Sequence, residues 1–286
     1  MSKINIRKAI IPCGGLGTRL YPISKIIGKE LVPVLNYPMI YYTLKELIIA
    51  GIEEIIIVNS PQKPNLIKSI NRLIDTEIIT SNIQSKNIKE LKKPIITEIL
   101  QKSPLGLGNA ILITKSVIND EPFIVVLPDD IIISETNITT KMINYFNNFK
   151  NTIICIEKVP NDKIENYGII NGNPTTSSLI NITDIVEKPP ANKAPTNLAV
   201  IGRYLFTPEI FDHLIKTKPM KNNEIQITDA IKTLLSEKPV LGYQFTGKRY
   251  DCGTPLGILE ATIGINLNSP KINDQIKKII SNYINP

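Results

Sequence analysis

Three glycines in four positions, Gly14, Gly15 and Gly17, are followed by Thr18 and Arg19, and ten residues beyond Arg19 comes Lys29. Glycine lets the backbone approach a ligand closely and reach angles other residues avoid. A hydroxyl and a guanidinium suit phosphate oxygens, and an ammonium adds a compact charge on a flexible stem. Together they could cradle a nucleoside triphosphate. Far along the chain stand two candidate metal ligands. Asp129 follows the apolar run Phe123–Leu127 and Pro128, and Asp251 precedes Cys252, Gly253 and a helix start at Pro255. Magnesium favours one or two carboxylates together with substrate phosphates. Each motif has a plainer alternative. The glycines also suit a strand-exit turn with no ligand, and Asp129 could cap the next element. The two aspartates meet only if both strand ends open on one cleft.

Two common glycine signatures do not fit. A Walker A loop needs Gly-x4-Gly-Lys-Ser/Thr, which is absent between Gly14 and Lys29. The dinucleotide fingerprint Gly-x-Gly-x-x-Gly, counted from Gly15 and Gly17, ends on Leu20.

The elements needed to position these residues alternate along the chain. Lys8–Ile11 reads as a buried strand feeding the glycine loop. Pro38–Ala50 reads as a helix, with proline in its first turn and Gly51 at its stop. The β-branched run Glu54–Val58 is a buried strand. A helix is expected over Asn65–Ile74, an ambiguous polar insertion over Thr80–Pro94, a strand over Ile95–Leu100 and a helix over Asn109–Val117. Phe123–Leu127 is the clearest central strand, and it delivers Asp129 to its C-terminal end, where open α/β sheets bind ligands. A helix over Thr139–Phe149 and a strand over Thr152–Lys158 come next. From Tyr167 to Phe206 short strands and turns suggest a β-rich lid beside a parallel sheet. Helices resume at Pro208, over Ile227–Leu235 and over Pro255–Leu267, and an amphipathic tail helix over Ile272–Ile284 could pack on the core or on a second subunit. With no repeat and no linker, residues 1–286 read as one domain, its core at about 8–267 and a helical extension at about 271–286.

Composition narrows the function classes. Apolar residues make up 42% of the chain, enough for a sizeable core. No stretch of about 18 apolar residues predicts a membrane span, and the first residues lack the pattern of a signal peptide. Three cysteines, Cys13, Cys155 and Cys252, fit a reducing compartment better than a disulfide framework. A cytoplasmic location is therefore expected. The formal charge of +7 suits anionic substrates. Its excess is mostly scattered lysine, which argues against a nucleic-acid footprint. A Ser-His-Asp mechanism would rest entirely on the single histidine, His213, which falls in a predicted helix opened by Pro208.

Taken in order, the motifs resemble those of the sugar-nucleotide pyrophosphorylases, and among them the bacterial UTP–glucose-1-phosphate uridylyltransferases. The likeness runs from Pro12–Pro33 through Gln101–Ala110, Leu127–Ile131, Tyr167–Ile170, Ile185–Pro189, Ala194–Ala199, Gly202–Tyr204 and Glu224–Ala230 to Gly247–Gly253. The resemblance implies a Rossmann-like α/β nucleotidyltransferase fold, with a mixed, mostly parallel central sheet, helices on both faces and a small β-rich sugar-binding insertion. It implies Mg²⁺-dependent conversion of UTP and glucose 1-phosphate to UDP-glucose and pyrophosphate. By the same resemblance Gly14, Gly15, Gly17, Thr18 and Arg19 wrap the nucleotide, Lys29 meets its triphosphate, Gln101 and Gly106 read the base, and Arg19, Lys29 and Lys188 are the catalytic cations. Asp129 and Asp251 would hold the metal, Gly168 and Glu187 the sugar, and Lys188 the sugar phosphate. A homo-oligomer, dimer or tetramer, is expected, with neither nucleic acid nor membrane as partner. Three departures stand out. The family's Pro-Ala-Ala-Gly is Pro12-Cys13-Gly14-Gly15, closer to the glucose-1-phosphate thymidylyltransferases; its Pro-Lys-Glu-Met is Gly28-Lys29-Glu30-Leu31; and the histidine of its Gly-Leu-Gly-His-Ala segment is Asn109. A thymidylyltransferase and a non-catalytic paralogue are the alternatives.

Overall fold

The computed structural model describes residues 4–75, 92–220, 223–268 and 272–284. Period-2 alternation in the central strands dictates its layers. In β1 (Lys8–Pro12), Ala9 and Ile11 face one core while Ile10 faces another, and all three are fully buried. β6 (Phe123–Val126) repeats the pattern, with Ile124 and Val126 on the first side and Phe123 and Val125 on the second. A strand apolar on both faces must be covered on both faces. Helices α2 (Met39–Ile49), α3 (Leu66–Asp75) and α6 (Ile138–Phe149) cover the first with Leu44, Leu47, Ile70 and Phe146. Helices α4 (Gly106–Leu112), α5 (Lys115–Ile118), α7 (Ile210–Lys216) and α8 (Ile227–Leu235) cover the second with Ile111, Ile118, Phe211 and Ile231. A four-residue α1 (Ile23–Ile26) comes after the glycine loop.

The remaining strands of the sheet are β4 (Glu54–Asn59), β5 (Ile95–Leu100), β8 (Thr152–Lys158), β9 (Gly168–Pro174), β10 (Leu179–Glu187), β11 (Leu198–Phe206) and β12 (Val240–Gln244). Their order is β5-β4-β1-β6-β11-β8-β12-β10-β9. Pairing is parallel from β5 through β4 and β1 to β6, and again between β8 and β12. It is antiparallel on both sides of β11 and between β10 and its neighbours β9 and β12. The sheet is thus mixed, as expected, but parallel pairing dominates only one half. The short strands after Tyr167 do not form a lid beside a parallel sheet. β11 is a buried central strand between β6 and β8, and a further contact of Ala199 with Ile169 ties β9 back to it. The reason is chemical: β11 (Leu198-Ala-Val-Ile-Gly-Arg-Tyr-Leu-Phe) is nearly all apolar, which only a strand covered on both faces can satisfy.

Two small sheets complete the site frame. β2 (Pro33–Val34) pairs with β3 (Tyr37–Pro38), and β7 (Asp130–Ile133) pairs antiparallel with β13 (Lys248–Asp251). α9 (Pro255–Leu267) begins at Thr254, whose hydroxyl accepts from Gly257 N at 3.1 Å, and α10 (Asn273–Ile284) packs on α9. The expected helix over 109–117 starts earlier, at the positive-φ Gly106, and breaks between Leu112 and Lys115. Residues 76–91, which include 80–91 of the expected polar insertion, lie outside the described residues, and 92–94 have no regular structure.

Candidate active site

Four parallel strands, β1, β4, β5 and β6, end on the same side of the sheet, so topology alone gathers the segments that leave them. After β1 comes the glycine loop, after β4 Lys63, after β5 Gln101, and after β6 Asp129. The loop continues the sheet for one step, with Cys13 N donating to Val58 O at 2.7 Å. It then turns at Gly17, whose φ of +65° favours glycine and whose bare Cα lets Lys29 and Ser24 pack against it. Thr18 and Arg19 then form an exposed 3₁₀ turn.

The loop is fastened from beneath. Lys63 donates to the carbonyls of Cys13 (2.7 Å) and Gly15 (2.6 Å) and to both carboxylate oxygens of Glu30 (2.8 and 3.0 Å). Glu30 is fully buried, and burial pushes its carboxyl above the ordinary range even though Lys63 and Lys29 pull it down. With its carbonyls turned down onto a buried ammonium, the loop keeps its other face for a ligand. Neither Lys63 nor this role of Glu30 emerged from the motifs. The available signal was a lysine four residues beyond a buried strand, at the sheet end that binds ligands.

The adjacent carboxylates Asp129 and Asp130 have different surroundings. Asp130 accepts from Gly202 N at 2.8 Å and from the Arg249 guanidinium, so its oxygens are committed. Arg249 also donates to Glu157 (2.7 Å) and to the Tyr167 hydroxyl (2.7 Å), and these neighbours raise its already high pKa against the opposing effect of burial. Arg203, 1% exposed, donates to the carbonyls of Leu127 (3.1 Å), Gly202 (3.1 Å) and Asp130 (2.7 Å) and grips Glu46 with a forked pair of contacts. The segment carrying Asp129 is thereby held from behind. Asp129 itself pairs with Lys29. Burial favours the protonated carboxyl, but the charges of Lys29 and Arg19 hold Asp129 below its ordinary value, so it stays anionic. Burial likewise opposes the charge on Lys29, yet Asp129 and Glu30 keep its pKa above the usual lysine value.

Asp251 reaches the same place through the β7–β13 pair. It stands opposite Asp130 in the register, and Cys252 N donates to Asp129 O at 2.8 Å. Its carboxylate accepts from Gly253 N at 3.0 Å, and a Cβ on Gly253 would lie 2.7 Å from the Arg19 guanidinium. Arg19, Asp129 and Asp251 therefore share one cleft of about 840 Å³.

The same cleft is also lined by Gly168, Glu187 and Lys188. Gly168 and Glu187 face each other across β9 and β10, and Glu187 accepts from the Thr228 hydroxyl at 2.9 Å. Lys188 adopts φ +43° and keeps an exposed ammonium 3.5 Å from Glu187. Gln101 and Gly106 sit beside Gly14, and Leu107 of α4 extends that wall into the cleft. Burial pushes all three cysteine thiols up, Cys252 to about 12 with help from Asp129 and Asp251, which suits unreactive packing residues. His213 is buried between α7 and α8 at 3.0 Å from the Thr233 hydroxyl and does not line the cleft.

A divalent cation fits the donor set at Asp129 and Asp251. Two carboxylates are fixed on paired backbone, one is anionic despite burial, and that one already holds a cation, the Lys29 ammonium. Among the described residues no group of three or more ligating side chains occurs. Such a site suits an ion that takes its other ligands from phosphate.

Residues 8–266 match the model of the nucleotidyl transferase family, and the chain belongs to that family. Within it, the chain is 37% identical over 290 residues to the UTP–glucose-1-phosphate uridylyltransferase of Bacillus subtilis (strain 168), covering 98% of each. Among solved structures, a UDP-glucose pyrophosphorylase complexed with UDP-glucose matches with a TM-score of 0.82 at 40% identity, over 91% of this chain and 98% of that one. A putative glucose-1-phosphate thymidylyltransferase from Bacillus anthracis matches less well, with a TM-score of 0.73 at 25% identity over 90% and 94%.

Proposed function

We propose that this chain transfers a uridylyl group from UTP to glucose 1-phosphate, forming UDP-glucose and pyrophosphate, with Mg²⁺ as the divalent ion. The observation that carries the reading is that Arg19, Asp129, Asp251, Glu187 and Lys188 line one cleft. Similarity to the uridylyltransferases over nearly the whole chain supports it, and exceeds the similarity to the thymidylyltransferase structure.

Two polyanions must meet, and the acceptor is its own nucleophile. A phosphate oxygen of glucose 1-phosphate attacks the α-phosphorus of UTP. The new P–O bond forms as the bond to the β-phosphate oxygen breaks, and its electron pair leaves with pyrophosphate. No activated Ser, Cys or His is required, in keeping with buried thiols and a buried histidine. The glycine loop, at Gly14, Gly15, Gly17 and Thr18, receives the nucleotide, with Gln101 and Gly106 at the base. Arg19 and Lys29 neutralise the triphosphate, Gly168 and Glu187 bind the sugar, and Lys188 holds its phosphate in line. Mg²⁺, held by Asp129 and Asp251, would supply charge stabilisation for the departing pyrophosphate. Lys29 would exchange Asp129 for phosphate oxygens when the nucleotide arrives.

The proposed site of action is the cytoplasm. Among the described residues no helix is long and apolar enough to cross a membrane. A homo-oligomer belongs to the proposal, since Leu256 and Leu259 of α9 and Ile279 and Tyr283 of α10 stay exposed. A panel of UTP, dTTP, CTP, ATP and GTP against several sugar 1-phosphates, with and without Mg²⁺, tests the reading. UTP with glucose 1-phosphate should give the highest turnover. A preference for dTTP would move the chain to the thymidylyltransferases, and no turnover with any pair would mark a non-catalytic paralogue.

A further inference from the structure

We propose that Asn109 is a positioning residue that fixes the orientation of the Gln101 amide and so selects a nucleobase with an N–H donor, uracil, over cytosine. The inference rests on the placement of the base against Gln101 proposed above.

Gln101 leaves the end of β5 with its backbone still in the sheet, its N–H donating to Asn59 O at 2.8 Å, and the residue is 6% exposed. A glutamine amide offers two N–H donors and one acceptor oxygen, and its direction depends on what surrounds it. Both donors are spent internally, on Gly106 O at 3.2 Å and on Asn109 Oδ1 at 2.9 Å. The oxygen is the part presented to the glycine loop: it occupies the space that a Cβ on residue 14 would need. Gly106 O cannot move away. Its residue has φ +87°, and the segment around it is stitched to Ile225, with Ile225 N donating to Leu105 O and Gly108 N to Ile225 O, both at 2.9 Å. Turning the amide over would set its oxygen against Gly106 O, and against Asn109 Oδ1 as well unless the Asn109 amide turned with it. Asn109, half-buried on the first turn of α4, supplies the second of these acceptors.

A fixed acceptor discriminates between pyrimidines of nearly equal size. Uracil presents N3–H, a donor, at the edge where cytosine presents a bare N3 lone pair. The locked oxygen accepts from the first and opposes the second. An amide free to turn could serve either base. Sites that place a hydrogen-bonding group against one edge reject the mismatched analogue far more strongly than a hydrophobic pocket can. This is also the position where the Gly-Leu-Gly-His-Ala segment is altered in this sequence.

The test compares kcat/KM for UTP and CTP, each with glucose 1-phosphate and Mg²⁺, in wild type, Asn109→Leu, Asn109→Ala, Asn109→Asp and Gln101→Leu, with thermal unfolding as the check on folding. Alanine is the best helix former, so Asn109→Ala guards against a leucine that fails to pack. Asn109→Leu and Asn109→Ala should lower the UTP:CTP ratio about tenfold, the worth of one net hydrogen bond, chiefly by a gain with CTP. Asn109→Asp keeps the acceptor and should keep the ratio. An unchanged ratio in folded Asn109→Leu or Asn109→Ala overturns the proposal, as does a loss in Asn109→Asp equal to theirs, which would mean packing alone. If Gln101→Leu collapses the ratio while the Asn109 variants do not, only the role of Asn109 fails. If Gln101→Leu itself leaves the ratio intact, the base does not sit at Gln101 and the assignment beneath fails too.

Discussion

The two walls of the cleft are built by different means. On the proposed nucleotide side three charged groups are held in multiple hydrogen bonds: Lys63 between Glu30 and two loop carbonyls, Arg203 between Glu46 and three carbonyls, Asp130 between Gly202 N and Arg249. On the sugar side Glu187 has a single hydroxyl from Thr228, and Lys188 stands in solvent with its side chain more than half exposed. A buried charge that loses its partner is costly, so the first wall cannot relax piecemeal. An exposed lysine loses little by moving. On the proposed assignment, the nucleotide side would be set before substrate arrives, and the sugar side would take its final arrangement from the sugar phosphate.

The comparison is broken most severely at Asp129. Asp129→Asn removes the carboxylate that holds Lys29 and would hold the metal, and turnover should fall about 10³-fold, the upper range for one lost electrostatic contact. Far-UV circular dichroism should not change, because Asp130 and Arg203 carry the surrounding hydrogen bonds. Near-wild-type turnover in the folded variant would end the metal assignment. Next comes Lys63→Met, which leaves Glu30 buried with no partner. We expect a loss of about 3–5 kcal/mol in urea unfolding and a raised KM for UTP. The double variant Lys63→Met/Glu30→Gln should regain much of the stability but not the KM. If both recover together, the ammonium shapes the loop only through folding.

Weaker effects belong to the sugar wall. Thr228→Val removes the hydroxyl on Glu187 with little change of volume. It should raise KM for glucose 1-phosphate about tenfold, one hydrogen bond to a charged group, and leave KM for UTP and the urea midpoint unmoved. Equal shifts in both KM values would mean that the two walls are mechanically one.

Legibility in the sequence divides along the same line. The proposed ligand-facing groups announce themselves by type and spacing: Gly17, Arg19, Asp129, Glu187 and Lys188 were all assigned by motif. The apolar run Ala9-Ile10-Ile11 and the β-branched run of β4 made the core strands readable as well. Long-range pairing hid the rest. That Asp251 would face Asp130 is a matter of β7–β13 register, which neither segment encodes alone. Lys63 and Arg203 resembled ordinary strand-end and strand residues because their partners lie 33 and 157 positions away. The β-rich stretch was misplaced for a related reason: apolar content shows that β11 is buried, but not between which neighbours.

Glu30 provides the finest distinction, because burial raises its carboxyl whereas the charges around Asp129 lower that one. The consequence for stability has a definite sign. Unfolded, Glu30 titrates near 4.5; folded, it titrates higher. Between those two values the folded chain holds a proton that the unfolded chain has released. Stability must then fall as pH rises through that window and level off above it, with a slope of at most about 1.4 kcal/mol per pH unit. Glu30→Gln keeps an acceptor for Lys63 but removes the titration. Urea midpoints measured in steps from pH 4 to 7 should therefore show wild type losing stability relative to Glu30→Gln as pH rises, and the two running parallel above the window. A wild type that instead gains on the variant with rising pH would mean that Lys63 outweighs burial, and that the glycine loop rests on a fully formed ion pair rather than on one strained by desolvation.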